Sequence, residues 1–243
     1  MKYVRTLWKV LLFLLILESA FAIHEYGHLR EFQKRDVPIK EFSLGIGPLV
    51  YQYQTDSSLM AISFRLIPIM AYVAPTEKGG AQFKKEGSLR DRIAVDVAGV
   101  RNNFLAGFLA ILFLQVLGWK MGKLSLKELV ITMATTPFKI VLRFVAFLIG
   151  CLTIGRVNIV ERFLISTGGI DPPRHLKDFI FWNLTLGFFN LLPIAPLDGG
   201  HALEAVMHSA GIGVPEVPRL VTNILFGVLF AVANKQDMRL LKS

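Results

Sequence analysis

Residues 7–29 read LWKVLLFLLILESAFAIHEYGHL, and this stretch decides the fold. It is apolar enough and long enough to cross a bilayer, which takes about 20 residues in a helix. Yet it carries Glu18, His24, Glu25 and His28. On insertion scales an ionised group near the middle of a membrane helix costs about 2.5–3.5 kcal/mol, so these side chains need compensating partners. His24-Glu25-Tyr26-Gly27-His28 has the H-E-x-x-H spacing. Four residues is about one helical turn, so both imidazoles lie on one face, able to share a zinc ion, with Glu25 directed at water on the metal. Lys2, Arg5, Lys9 and the Ser19-Ala20-Phe21-Ala22 segment also resemble a signal peptide cleaved after Ala22. Cleavage there would leave His24 at a frayed end, where two ligands cannot be held rigidly, so the segment is expected to be retained.

Working outward, the 243 residues are 53% hydrophobic with 19 Phe, above the usage of soluble domains and in favour of a membrane protein. The formal net charge of +9 is spread along the chain beside apolar segments, as for residues held at lipid headgroups rather than in a nucleic-acid interface. The lone Cys151 rules out an intramolecular disulfide and a cysteine-based zinc site. Spans are expected near 7–29, 93–118, 179–195 and 219–234, with an interfacial or extra helix near 129–154. Between the first two spans, alternation around Thr55-Asp56-Ser57-Ser58 predicts a β-hairpin near 48–73. Gly45, Gly47 and Pro48 form the turn before it, and Pro68 and Pro75 end it. The expected fold class is thus membrane α-helical. One core over 1–243 holds about four transmembrane helices and a small membrane-associated β-hairpin. Loop charge leaves the orientation undecided.

Catalytic zinc usually has three protein ligands and a water, so one more donor is needed. The best source is the segment Asn190 to His201, in which Asp198 follows an apolar stretch broken by Pro193 and Pro196. His201 is a rival on chemistry alone. Asp198 can also be read as a simple helix cap, since Asp favours that position.

Several segments in order, His24 to His28, Glu41 to Pro48, Arg65 to Pro68, Ala98-Gly99 with Asn103-Phe104, and Leu197 to His201, together resemble the site-2 protease family of intramembrane zinc proteases. The likeness is to its bacterial regulator-of-sigma-E-protease-like branch, which cleaves anti-sigma factors. The resemblance implies a zinc-dependent intramembrane endopeptidase with Zn2+ on His24, His28 and Asp198, Glu25 as the catalytic residue that activates water, and His201 in a supporting role. It places Asn103 and Asn190 near the substrate. It further implies a bacterial inner-membrane, multi-pass protein acting on transmembrane protein substrates, and a hairpin that binds the substrate as an added strand.

Two departures stand out. Val100 occupies the position of a family proline, followed by Arg101 where apolar residues are usual, and 119–177 cannot hold a complete PDZ domain. Substrate filtering is therefore expected to be absent or supplied by an accessory protein. The competing reading is a non-catalytic adaptor or chaperone for membrane proteins. A metal transporter would want more ionisable residues across several spans. Glu18, six and seven residues before His24 and Glu25, is roughly on their helical face; it can tune the site, relay protons or bond a neighbouring helix, and the last is expected.

Overall fold

The computed structural model describes residues 2–54, 60–152, 169–194 and 196–212. Helix α1 (Lys2–Gln33) is followed by strands β1 (Ile39–Gln54) and β2 (Ala61–Pro75). Then come helices α2 (Glu77–Glu86), α3 (Leu89–Asp96), α4 (Ala98–Lys120), α5 (Leu126–Leu152), α6 (Arg174–Asn190) and α7 (Asp198–Ser209). Two compact units emerge, one of Met1–Leu105 and Trp182–Glu216, the other of Ala106–Phe181 and Val217–Ser243.

The fold is mostly helical, with two helices, Tyr3–Gln33 and Ala98–Lys120, long and apolar enough to cross a membrane. Four were expected, and these two correspond to the first and to much of the second. The segment expected to span at 179–195 belongs to α6, whose 17 residues fall short of the roughly 20 needed. The one at 219–234 lies outside the described residues. The second expected span, 93–118, is interrupted: α3 ends at Asp96 with Val97 as its C-cap, and α4 starts afresh at Ala98. Ser88 caps α3 by accepting from the Asp91 N–H at 3.1 Å, which gives this short helix its own start. Helix α1 is continuous through Ala22, so the H-E-x-x-H segment is well inside a helix.

In the first unit, β1 and β2 form a two-stranded antiparallel sheet longer than the expected hairpin. Its register is folded back on itself: 41–44 pairs with 71–74 and also with 61–64, while 51–54 pairs with 61–64. The sheet packs on α1 through Leu29, Ile39 and Met60, with Phe32, Phe42, Ile62 and Val73 around them. Gly45 and Gly47 do not form a turn before the hairpin. Both lie inside β1 at positive φ, 83° and 84°, in a bulge that swings the strand. Pro68 does not end β2 either. It falls between the paired Ile67 and Ala71, where the missing N–H costs no ladder bond. Helix α6 meets α4 through an edge-to-face pair, Phe104 on Phe188, centroids 4.6 Å apart.

The second unit holds α5, with Pro137 inside it, where 129–154 was expected to be helical. Gln115 donates to Thr136 Oγ1 at 2.8 Å in a buried pair between α4 and α5.

Candidate metal centre

His24 and His28 are both buried on α1. The Nδ1–H of His24 donates to Asn103 Oδ1 at 2.6 Å, and that of His28 donates to the Val95 carbonyl at 2.8 Å. Both acceptors are oxygens without a proton to give, which fixes the tautomers. The Asn103 amide is oriented in turn, its Nδ2 donating to Ala20 O at 2.9 Å and to Asn183 Oδ1 at 3.0 Å. Each Nε2 is thereby left with a lone pair, and the two face each other 3.2 Å apart. Asp198 Oδ2 joins them at 3.1 Å from His24 Nε2 and 3.4 Å from His28 Nε2. It is buried with no hydrogen-bond donor.

Three electron pairs converging in a buried place repel one another unless a cation sits among them. Zn–N and Zn–O bonds of about 2.0–2.2 Å in a tetrahedron give ligand–ligand edges of about 3.3–3.6 Å, close to the observed separations. The donor set therefore fits zinc, with outer partners on both imidazoles of the kind that orient metal-bound histidines. Glu25 completes the group: one carboxylate oxygen and the two imidazoles offer ligand atoms all within 4.8 Å of one another. Its Oε2 accepts the Val73 N–H of β2 at 3.0 Å.

Close backbone approach makes the site possible. A Cβ on Gly99 would sit 2.5 Å from His24 Nε2 and 2.6 Å from His28 Nε2, inside the donor cluster itself, so only glycine fits there. Gly27, between the two histidines, likewise lets the start of α4 lie against α1. On the far side Gly199 packs on the Leu191 and Leu192 carbonyls, which fixes where α7 begins.

Of the three readings of 190–201, the cap reading fails, because Leu197 is the N-cap and Asp198 is the first helical residue with its carboxylate turned to the histidines. His201 is directed elsewhere, with Nδ1 3.7 Å from Glu204 Oε2. Asn103 is brought to the centre through His24. Asn190 is bonded within its own helix, its Nδ2 donating to Leu186 O at 3.0 Å. Sequence reading missed Asn183, the Val95 carbonyl and the Val73 N–H, and it gave Glu18 the wrong kind of partner: the acceptor bond is to Gly45 of β1, not to a helix.

Arg101, the out-of-pattern charge, has a local reason. Its Nη2 reaches Glu31 Oε1 at 3.0 Å, and the buried Glu31 also binds Lys34 and Arg35, the latter continuing to Asp91. This network joins α1, α3 and α4 next to the histidines. Val100 is buried, 4% exposed, so the proline's position is filled by an apolar side chain inside a continuous helix.

The model for peptidase family M50 matches residues 12–233. The chain belongs to that family. Members of M50 are the site-2 proteases to which the motifs were likened. A protein of Pasteurella multocida named as a zinc metalloprotease is 28% identical over 121 residues, 46% of this chain and 27% of that relative. One of Fusobacterium nucleatum, similarly named, is 35% identical over 91 residues, 36% of this chain and 26% of its own length. A third, from Lactococcus lactis, is 36% identical over 62 residues, covering 25% of this chain and 14% of the relative. This M50 chain thus spans about a quarter or less of each of these curated relatives.

Proposed function

We propose that this M50 chain is a zinc-dependent endopeptidase that hydrolyses peptide bonds in or near transmembrane segments of membrane proteins. In this reading His24, His28 and Asp198 hold the metal and Glu25 is the catalytic residue. The observation that carries it is the convergence of two imidazole lone pairs and an undonated carboxylate oxygen at mutual distances of 3.1–3.4 Å.

When bound, zinc supplies Lewis acidity to water and to the scissile carbonyl. Glu25 takes a proton from the attacking water at its carboxylate and returns it to the leaving amine. Asn103 holds the His24 ring in its metal-facing tautomer, and Val95 O does the same for His28. The β2 stretch 71–75 lines the Glu25 side, and an extended substrate segment pairs with it as an added strand, keeping the peptide unwound while it is cut. Asn190 contacts the substrate once its bond to Leu186 is exchanged. The setting is a bacterial inner membrane with a multi-pass chain. The substrates are single-span regulators of the anti-sigma-factor kind, filtered by an accessory protein.

The test is a panel of single-span membrane proteins presented in liposomes to wild type, to Glu25→Gln and to chelator-treated protein. Wild type cuts at least one, Glu25→Gln keeps zinc and loses at least 100-fold of the rate, and the chelator abolishes cleavage. Undiminished cleavage by Glu25→Gln removes Glu25 from its role. Zinc bound without cleavage of any substrate turns the reading towards a non-catalytic adaptor.

A further inference from the structure

Two carboxylates on one face of α1 each accept a backbone N–H from the sheet. Glu25 receives Val73 of β2 at 3.0 Å. Seven residues earlier, two turns or about 10 Å along the helix, Glu18 Oε1 accepts the Gly45 N–H of β1 at 2.7 Å, and the backbone of Met70 in β2 interacts with the same carboxylate. Glu18 is only 9% exposed, so an acid held there needs a reason stronger than chance.

Gly45 explains how its N–H becomes available. It has no partner in the register, which steps from Leu44 to Ile46, and its φ of 83° turns the amide off the ladder. A Cβ at this position would lie 2.9 Å from the Arg65 and Ile67 carbonyls, which reserves the bulge for glycine. The residues just before Gly45 hold the strand that borders the metal centre: Phe42 pairs with Val73, Ser43 with Tyr72 and Leu44 with Ala71. A continuous connection therefore runs from Glu18 through Gly45 and the 42–44 ladder to the 71–73 strand and its Val73 N–H on Glu25.

From this connection we infer that Glu18 is a positioning residue, which bolts the sheet to α1 at the bulge and so sets the register of the 71–75 strand against the metal centre. The inference rests on the protease reading only for its consequence, the choice of the bond that is cut. A charged acceptor is about twice as strong as a neutral one, so Glu18→Gln weakens the bolt and Glu18→Ala removes it.

Hydrogen exchange of the full chain in detergent, without substrate, tests the bolt separately from catalysis. Glu18→Ala is expected to exchange at least tenfold faster at 43–47 and 71–75, with zinc content and the protection of α4 as in wild type. Glu18→Gln is expected to show a smaller rise in the same two stretches, and it decides the matter alone if Glu18→Ala does not fold. Unchanged protection of 71–75, or a loosening spread evenly over all helices, overturns the inference whether or not the protein cleaves anything. With a cleaved substrate, mass spectrometry of the products adds a readout that plain destabilisation does not move. Glu18→Ala spreads the cuts over neighbouring bonds and Glu18→Gln keeps the wild-type bond, while a single wild-type cut at wild-type rate in Glu18→Ala also overturns it.

Discussion

Asn103, expected near the substrate, is tied in the fold to one of the two histidines. It is fully buried, accepts from His24 Nδ1 at 2.6 Å and donates to Ala20 O and Asn183 Oδ1. All of its short bonds go to protein groups. Its removal leaves the His24 N–H without an acceptor and frees the ring to turn, and loss of such an outer partner typically lowers metal affinity by about 10–100-fold. Asn103→Ala is therefore expected to weaken zinc binding by that factor in a competition titration, with Asn183→Ala acting in the same direction but less. A substrate-contact role alone would leave zinc affinity at the wild-type value and raise KM. The gathering of two histidines and a glutamate was legible because H-E-x-x-H encodes one helical turn. Asn183 was not, because nothing in an apolar helix marks which polar residue will meet a partner 80 residues away.

The sheet was partly legible at the level of elements. Alternation located both strands, the turn expected at 55–58 lying outside the described residues, and Pro75 ends β2 as expected, whereas Gly45, Gly47 and Pro68 lie inside the strands they were expected to bound. What the alternation could not show is the polar clasp inside the sheet. Glu41 of β1 accepts from Arg65 Nη2 at 2.8 Å and from the Tyr72 hydroxyl at 2.9 Å. Burial works against the charged form of Glu41, yet the bonds from Ser63, Arg65 and Tyr72 outweigh it and hold the carboxyl below its usual range. A carboxyl depressed in the folded state contributes stability that is present above the ordinary glutamate value, about 4.3, and is lost as pH falls through the lowered folded value. Acidification from about pH 5 downward should therefore lower the unfolding midpoint of wild type more steeply than that of Glu41→Gln, whose baseline is lower but flatter. Thermal scans across a pH series read this directly, and parallel slopes for the two proteins would remove Glu41 from the account. The long helices divide in the same way: α1 and α4 were visible as long apolar runs, whereas the break at Val97 goes with the Val95 carbonyl turning to His28, a tertiary contact.

For the molecule as a whole, the metal centre links chemistry to stability. His24, His28 and Asp198 come from α1 and α7, at opposite ends of the first unit's sequence. In the neutral rings the electron pairs of both Nε2 atoms and of Asp198 Oδ2 face one another at 3.1–3.4 Å. A metal that binds only the folded state replaces any proton held there and adds its own mass-action term. At free zinc 100 times the dissociation constant that term is about 2.7 kcal/mol. Added zinc should accordingly raise the unfolding midpoint of chelator-stripped wild type and leave Asp198→Asn and His28→Ala nearly unmoved. If the two units melt in separate transitions, the shift belongs to the one that reports the first unit, since all three donors lie within it. A zinc-independent midpoint in wild type, or an Asp198→Asn protein that still gains the full increment, would mean that Asp198 is not a ligand and that the convergence of donors serves packing alone.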